Sequence, residues 1–205
     1  MKKDLANKKV NDALPRPRGA DATSSILSAT LELGDEVGYD ALTIEGIADR
    51  SGIAKTTIYR RWPNVWALVM DAFLSEVTRA APLREKATAR ESFAASMKLL
   101  ARAYRGQQGK IMQPLLGRAQ VDERLREAVK TRWVEPRRQI AREIVRRGIA
   151  NGELRPGLDP DVVLDALYGS IYHRILVPYN DAAVSDSYID AVIETVFGGL
   201  ELKSR

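Results

Sequence analysis

An all-α fold is what this sequence predicts, and three observations predict it. Apolar residues recur every three or four positions along most of the chain, as in Ile189, Val192, Ile193, Val196, Phe197 and Leu200. No stretch alternates apolar and polar residues in the manner of a half-buried strand. Glycines, prolines and small polar cap formers cut the pattern into helix-sized pieces.

The chain has 205 residues, 45% of them hydrophobic, which is enough for one or two domains with real cores. No apolar run approaches the roughly 18–20 residues that span a bilayer. The N-terminus is basic, but no apolar segment follows it as a secretory signal requires. Cysteine is absent, which excludes disulfides and thiol chemistry. These features together fit a cytoplasmic protein. A net charge of +5 is compatible with an anionic partner without naming one.

Residues 1–20 carry Pro15 and Pro17 without apolar periodicity and read as a flexible basic arm. Residues 21–81 form a first domain. Its opening helix starts near Thr23, where Thr23, Ser24 and Ser25 are cap formers, and stops at Gly38. After a short link from Asp40 to Leu42, Thr43 caps a second, short helix. Ile44, Ile47 and Ala48 form its buried face, and Glu45 suits the positive end of its dipole. Gly52 breaks that helix. Another runs from about Ala54 to Arg61 and ends at Trp62-Pro63, because a residue before proline avoids helical angles. Pro63 suits the first turn of the following helix, and Pro82 marks the domain boundary.

Residues 82–205 read as helical throughout. A helix over Arg90 to Tyr104 is separated by Gly106 and Gly109 from a short segment ending near Gly117. Asp122 to about Asn151 forms one long helix, kinked near Pro136. Arg132, Arg137, Arg138, Arg142, Arg146 and Arg147 make its wet face. A linker over residues 152–157 leads to a helix capped by Asp159, and Ser185 or Asp186 opens the last one. The stripe of that last helix, with Gly198 and Gly199 allowing close approach, suits an intramolecular core or a dimer face. Two C-terminal helices with broad apolar faces favour the dimer.

The functional signal lies in the two short helices joined by Gly52, the pattern of a helix-turn-helix. Glycine can adopt the left-handed conformation that ends a helix sharply. Ile53 can wedge between the helices, and Ala48 is small enough to let them approach. The second helix presents Lys55, Thr56, Thr57, Tyr59, Arg60 and Arg61, all able to bond phosphates or base edges. Lys55 and Thr57 suit base edges or adjacent phosphates, while Tyr59 and Arg60 suit the backbone. Thr43 sits at a helix N-terminus, whose free amides suit a phosphate. A helical ligand-binding or scaffold protein without specific DNA binding is the competing reading.

The run Thr43-Ile44-Glu45-Gly46-Ile47-Ala48-Asp49-Arg50-Ser51-Gly52-Ile53-Ala54-Lys55-Thr56-Thr57-Ile58-Tyr59-Arg60-Arg61-Trp62-Pro63 resembles the DNA-binding signature of TetR-family regulators. The likeness extends back through Gly38-Tyr39-Asp40-Ala41-Leu42, and Pro15-Arg16-Pro17-Arg18 resembles the family's basic arm. Asn151-Gly152-Glu153-Leu154-Arg155-Pro156 and the segment from Leu167 to Arg174 resemble one subgroup of TetR-like C-terminal domains. The resemblance implies an N-terminal three-helix helix-turn-helix domain and a C-terminal bundle that homodimerises through its last two long helices. It also implies double-stranded operator DNA and a small-molecule effector as partners, the effector releasing a repressor by shifting a two-state equilibrium.

Two positions depart from the family pattern. Ala54 stands where a capping serine is usual, forgoing roughly 1 kcal/mol. Val65 stands where a phosphate-binding lysine is common, which should lessen salt dependence. Enzyme chemistry has no motif here: there is no P-loop, dinucleotide fingerprint or Gly-x-Ser-x-Gly. A single histidine, His173, and no cysteine make a metal site or cofactor unexpected. His173 reads as a packed or interface residue before an effector ligand. Phe93, Met97, Tyr104, Met112 and Trp133 are candidates for a pocket wall, or plain core.

Overall fold

The structure, a computed structural model, describes residues 19–177 and 184–200. The basic arm with Pro15-Arg16-Pro17-Arg18 lies outside the described residues. Those described form helices joined by short turns, with no strand element among them.

Four helices make up the N-terminal part: α1 (Gly19–Val37), α2 (Ile44–Ser51), α3 (Lys55–Tyr59) and α4 (Val65–Ala80). α1 begins before Thr23, so the expected cap at Thr23 to Ser25 is not one. Those residues sit inside the helix, where Ser25 Oγ donates to the Asp21 carbonyl at 2.9 Å. A single 3-10 turn, Tyr39–Ala41, fills the link to α2. Its Tyr39 ring is buried against Gly34, where an added Cβ would stand 2.4 Å from Tyr39 Cε1. Only glycine leaves room for that ring. Ile26, Ile47, Ile58, Leu68 and Phe73, all fully buried, hold α1 to α4 together.

The remaining helices are α5 (Ala89–Arg105), α6 (Gln107–Ala119), α7 (Glu123–Val129), α8 (Glu135–Ala150), α9 (Pro160–Leu176) and α10 (Asp186–Leu200). Thr88 opens α5 with a reciprocal capping box to Glu91. Gly109 does not separate segments as expected but lies within α6. α7 and α8 are joined by a π-helical segment, Lys130–Val134, so the irregularity precedes Pro136. Proline suits that place, because its missing N–H and fixed φ are tolerated where a new α-helical stretch begins. Asp159 and Ser185 cap α9 and α10 as their sequences suggest.

The arginines of α8 are not a merely wet face. Arg138 bonds Asp161 and Asp165 at 2.6 and 2.7 Å, and Arg142 bonds Glu135 and Asp161 at 2.6 and 3.0 Å. They clamp α8 to α9, since a long arginine stem packs while its head finds carboxylates. One apolar core runs from Ile26 to Phe197 without a break between the two halves.

Candidate nucleic-acid interface

Thr43 enters α2 in extended geometry, and its Oγ1 accepts the Gly46 amide at 3.1 Å. Gly52 ends α2 with φ 67° and ψ 15°, the left-handed conformation its position requires. Ile53 then packs half-buried against the core, and its amide donates to Ser51 Oγ at 3.3 Å. These contacts fix how α3 leaves α2. Within α3 only Ile58 is buried, completely. Lys55, Thr56, Tyr59 and Arg60 are exposed, Tyr59 by 50%, while Thr57 and Arg61 are half-buried.

Lys55 Nζ meets Glu45 Oε1 at 3.2 Å, bringing the first turns of α2 and α3 side by side. A backbone amide hydrogen bond, then Lys55, holds the Glu45 carboxyl below its usual range. Arg61 points elsewhere: its Nη1 donates to Thr23 Oγ1 on α1. The chain thus gathers Thr43, Lys55 and Thr56 at adjoining helix N-termini, with Tyr59 and Arg60 a turn further on.

Several supports escaped the sequence reading. Asn64, not Pro63, starts α4, its Oδ1 accepting the Ala67 amide at 2.8 Å. An asparagine before an apolar run was signal enough for that cap. Arg50 forks onto Glu36 with bonds of 2.9 and 2.5 Å, fastening α2 to α1. Trp62 is buried, and its Nε1 donates to Asp71 Oδ2 at 2.8 Å on α4. Asp71 Oδ1 in turn meets Arg132 Nη2 of the π-helical segment at 2.6 Å. No local pattern announces a relay between residues so far apart in sequence.

Next to Arg132, Trp133 packs edge-on to Phe73 of α4, ring centres 5.1 Å apart, and walls a cavity of about 110 Å³. Leu100, Met112, Arg137, Tyr168 and Tyr172 also line it. Of the five candidates for a pocket wall, Met112 and Trp133 do line this space. Phe93 and Met97 are fully buried core, and Tyr104 is buried with its hydroxyl 3.4 Å from that of Tyr172. Tyr168 Oη lies 3.1 Å from Ser96 Oγ. Burial pushes the Tyr104 and Tyr168 hydroxyls up, so both stay neutral hydrogen-bonding groups.

Residues 26–69 match the model of bacterial regulatory proteins of the tetR family, and residues 67–196 match the tetracyclin repressor-like C-terminal domain. The chain belongs to the TetR family. It is a DNA-binding transcriptional regulator of that family. It is 36% identical over 189 residues to the HTH-type transcriptional regulator YdeS of Bacillus subtilis, covering 92% of this chain and 94% of that protein. The DNA-binding transcriptional repressor TetR of Mycobacteroides abscessus is 25% identical over 191 residues, covering 89% and 97%. Among solved structures, the TetR family transcription regulator SCO0332 superposes with a TM-score of 0.72 at 31% identity, covering 87% and 97%. The fold is also shared with FadR from Bacillus subtilis, solved in complex with stearoyl-CoA (TM-score 0.70, 22% identity, covering 86% and 98%).

The two departures from the TetR pattern are visible in the geometry. Ala54 enters α3 with φ −55° and ψ 136°, and no side chain caps the helix. Val65 is the first residue of α4 and packs half-buried against the core.

Proposed function

We propose that this TetR-family chain is a homodimeric cytoplasmic repressor, holding operator DNA through residues 21–81 and released by a small molecule bound within residues 82–205. The observation that carries this reading is the division of α3. Ile58 anchors the helix in the core while Lys55, Thr56, Tyr59 and Arg60 stand in solvent. A helix held that way offers its polar face to the major groove. In this reading Lys55 and Thr57 meet base edges or adjacent phosphates, Tyr59 and Arg60 hold the backbone, and a phosphate sits at the Thr43 end of α2.

Two further features support the rest. On α9 and α10, Gly169, Gly198 and Gly199 have nothing within 4 Å where a Cβ would stand, and Val162 and Leu176 of α9 are exposed by 64% and 45%. A partner's helices could close onto such faces, setting two recognition helices a helical repeat apart. Arg132, next in sequence to Trp133 of the cavity wall, reaches through Asp71 to Trp62, just beyond α3, a route by which occupancy can bias the DNA-binding geometry.

The test is binding of the purified protein to its own upstream DNA, followed by fluorescence anisotropy at about 50 and about 200 mM salt. A sequence-selective complex that weakens steeply with salt is expected, together with lower transcription from that promoter. Binding that ignores sequence or salt would sink the proposal, and higher transcription would make the protein an activator.

A further inference from the structure

Glu45 is an unexpected group on a face that meets DNA. It stands in the first turn of α2, two positions after the Thr43 cap, with 56% of its side chain exposed. A carboxylate there repels the phosphate backbone. The helix dipole accounts for an acid in that turn but not for the contact this one makes. Its Oε1 lies 3.2 Å from Nζ of Lys55, the first residue of α3 and itself 51% exposed. An exposed pair of this kind adds little to folding, so stability does not explain it.

What the pair changes is the behaviour of Lys55. A free lysine is a flexible, strongly hydrated point charge that neutralises any nearby phosphate, whatever the sequence. Beside Glu45 the ammonium is offset in charge and confined in direction, while its other N–H groups remain able to donate. Directed donors are what base-edge acceptors such as guanine O6 and N7 require. We propose that Glu45 is a specificity-determining positioning residue, which turns Lys55 from a general phosphate contact into a donor aimed at base edges. This rests on reading α3 as the helix that enters the major groove, and it says how that helix tells its operator from other DNA.

Fluorescence anisotropy on the full chain tests it. Native protein, Glu45→Gln, Lys55→Gln and the double variant are titrated into the upstream duplex and into a scrambled duplex of the same composition, at about 50 and about 200 mM salt. Glu45→Gln should bind the scrambled duplex about threefold or more tighter, with a salt slope steeper by about one. Its ratio of upstream to scrambled affinity should fall below the native one. In the Lys55→Gln background the same change at Glu45 should leave that ratio where it is. If Glu45→Gln tightens both duplexes equally, Glu45 is only a repelling charge and the proposal is overturned. An unchanged ratio at unchanged affinity overturns it as well, with the reading of α3 still standing. No preference for the upstream duplex in the native protein would remove the reading of α3 and this proposal together. Both side chains lie half in solvent, so these substitutions leave the core untouched.

Discussion

At Ala54 the chain turns into α3 with a backbone suited to an N-cap, yet with no side chain to bond the free amides beyond it. Ala54→Ser should therefore stabilise the protein by about 1 kcal/mol, read as a higher urea midpoint at unchanged slope. Tyr59 sits on the opposite side of the balance between structure and function. It is 50% exposed, and the five-residue helix α3 does not need it for its core, which is Ile58. Tyr59→Ala should change stability by less than about 0.5 kcal/mol and leave the dimer intact by light scattering, while operator binding is lost. A monomeric variant would show instead that the ring is structural. Thr43 and Gly52 were readable at this scale because cap and left-handed turn are local chemistry. Arg61 was not, because its bond to Thr23 spans 38 positions.

Between elements, Asp71 connects two helices that the sequence keeps far apart, taking Trp62 Nε1 on one oxygen and Arg132 on the other. Asp71 Oδ1 stands in an ion pair with Arg132 without a hydrogen bond, and both partners act on the same carboxylate, so the effects of removing the two should not add. In a cycle of Trp62→Phe, Arg132→Gln and both, the coupling should be about 0.5 kcal/mol or more, from urea midpoints. Strict additivity would mean that Asp71 relays nothing between α3 and the cavity wall. The π-helical segment that carries Arg132 was legible only as a kink near Pro136, since a widened turn has no residue signature comparable to proline.

Over the whole molecule, arginine–carboxylate pairs set a pH dependence. Hydrogen bonds from Arg50, Arg142, Arg138 and Arg102 hold Glu36, Glu135, Asp161 and Asp186 below their ordinary values of 4.5 for glutamate and 3.8 for aspartate. Between those ordinary values and the lowered ones the unfolded chain binds more protons than the folded one, so acid favours unfolding. The contribution of these pairs is whole above about pH 4.5 and is lost as the pH falls through the lowered values. The urea midpoint should drop between about pH 5 and about pH 3. Asp186→Asn should shrink the drop, and added salt should weaken the pairs at the higher pH. An identical drop in that variant would remove Asp186 from the account.

The all-α class, the helix-turn-helix from Thr43 to Trp62 and the caps at Asp159 and Ser185 are written in local sequence. Each of these rests on periodicity or on bonds between residues a few positions apart. That Trp62 is a buried anchor, that the arginines of α8 clamp α9, and that Arg137 ties α8 to the Ala81 carbonyl emerge from the packing alone. Those facts depend on which distant carboxylate, carbonyl or ring each long side chain reaches, and packing alone sets that distance.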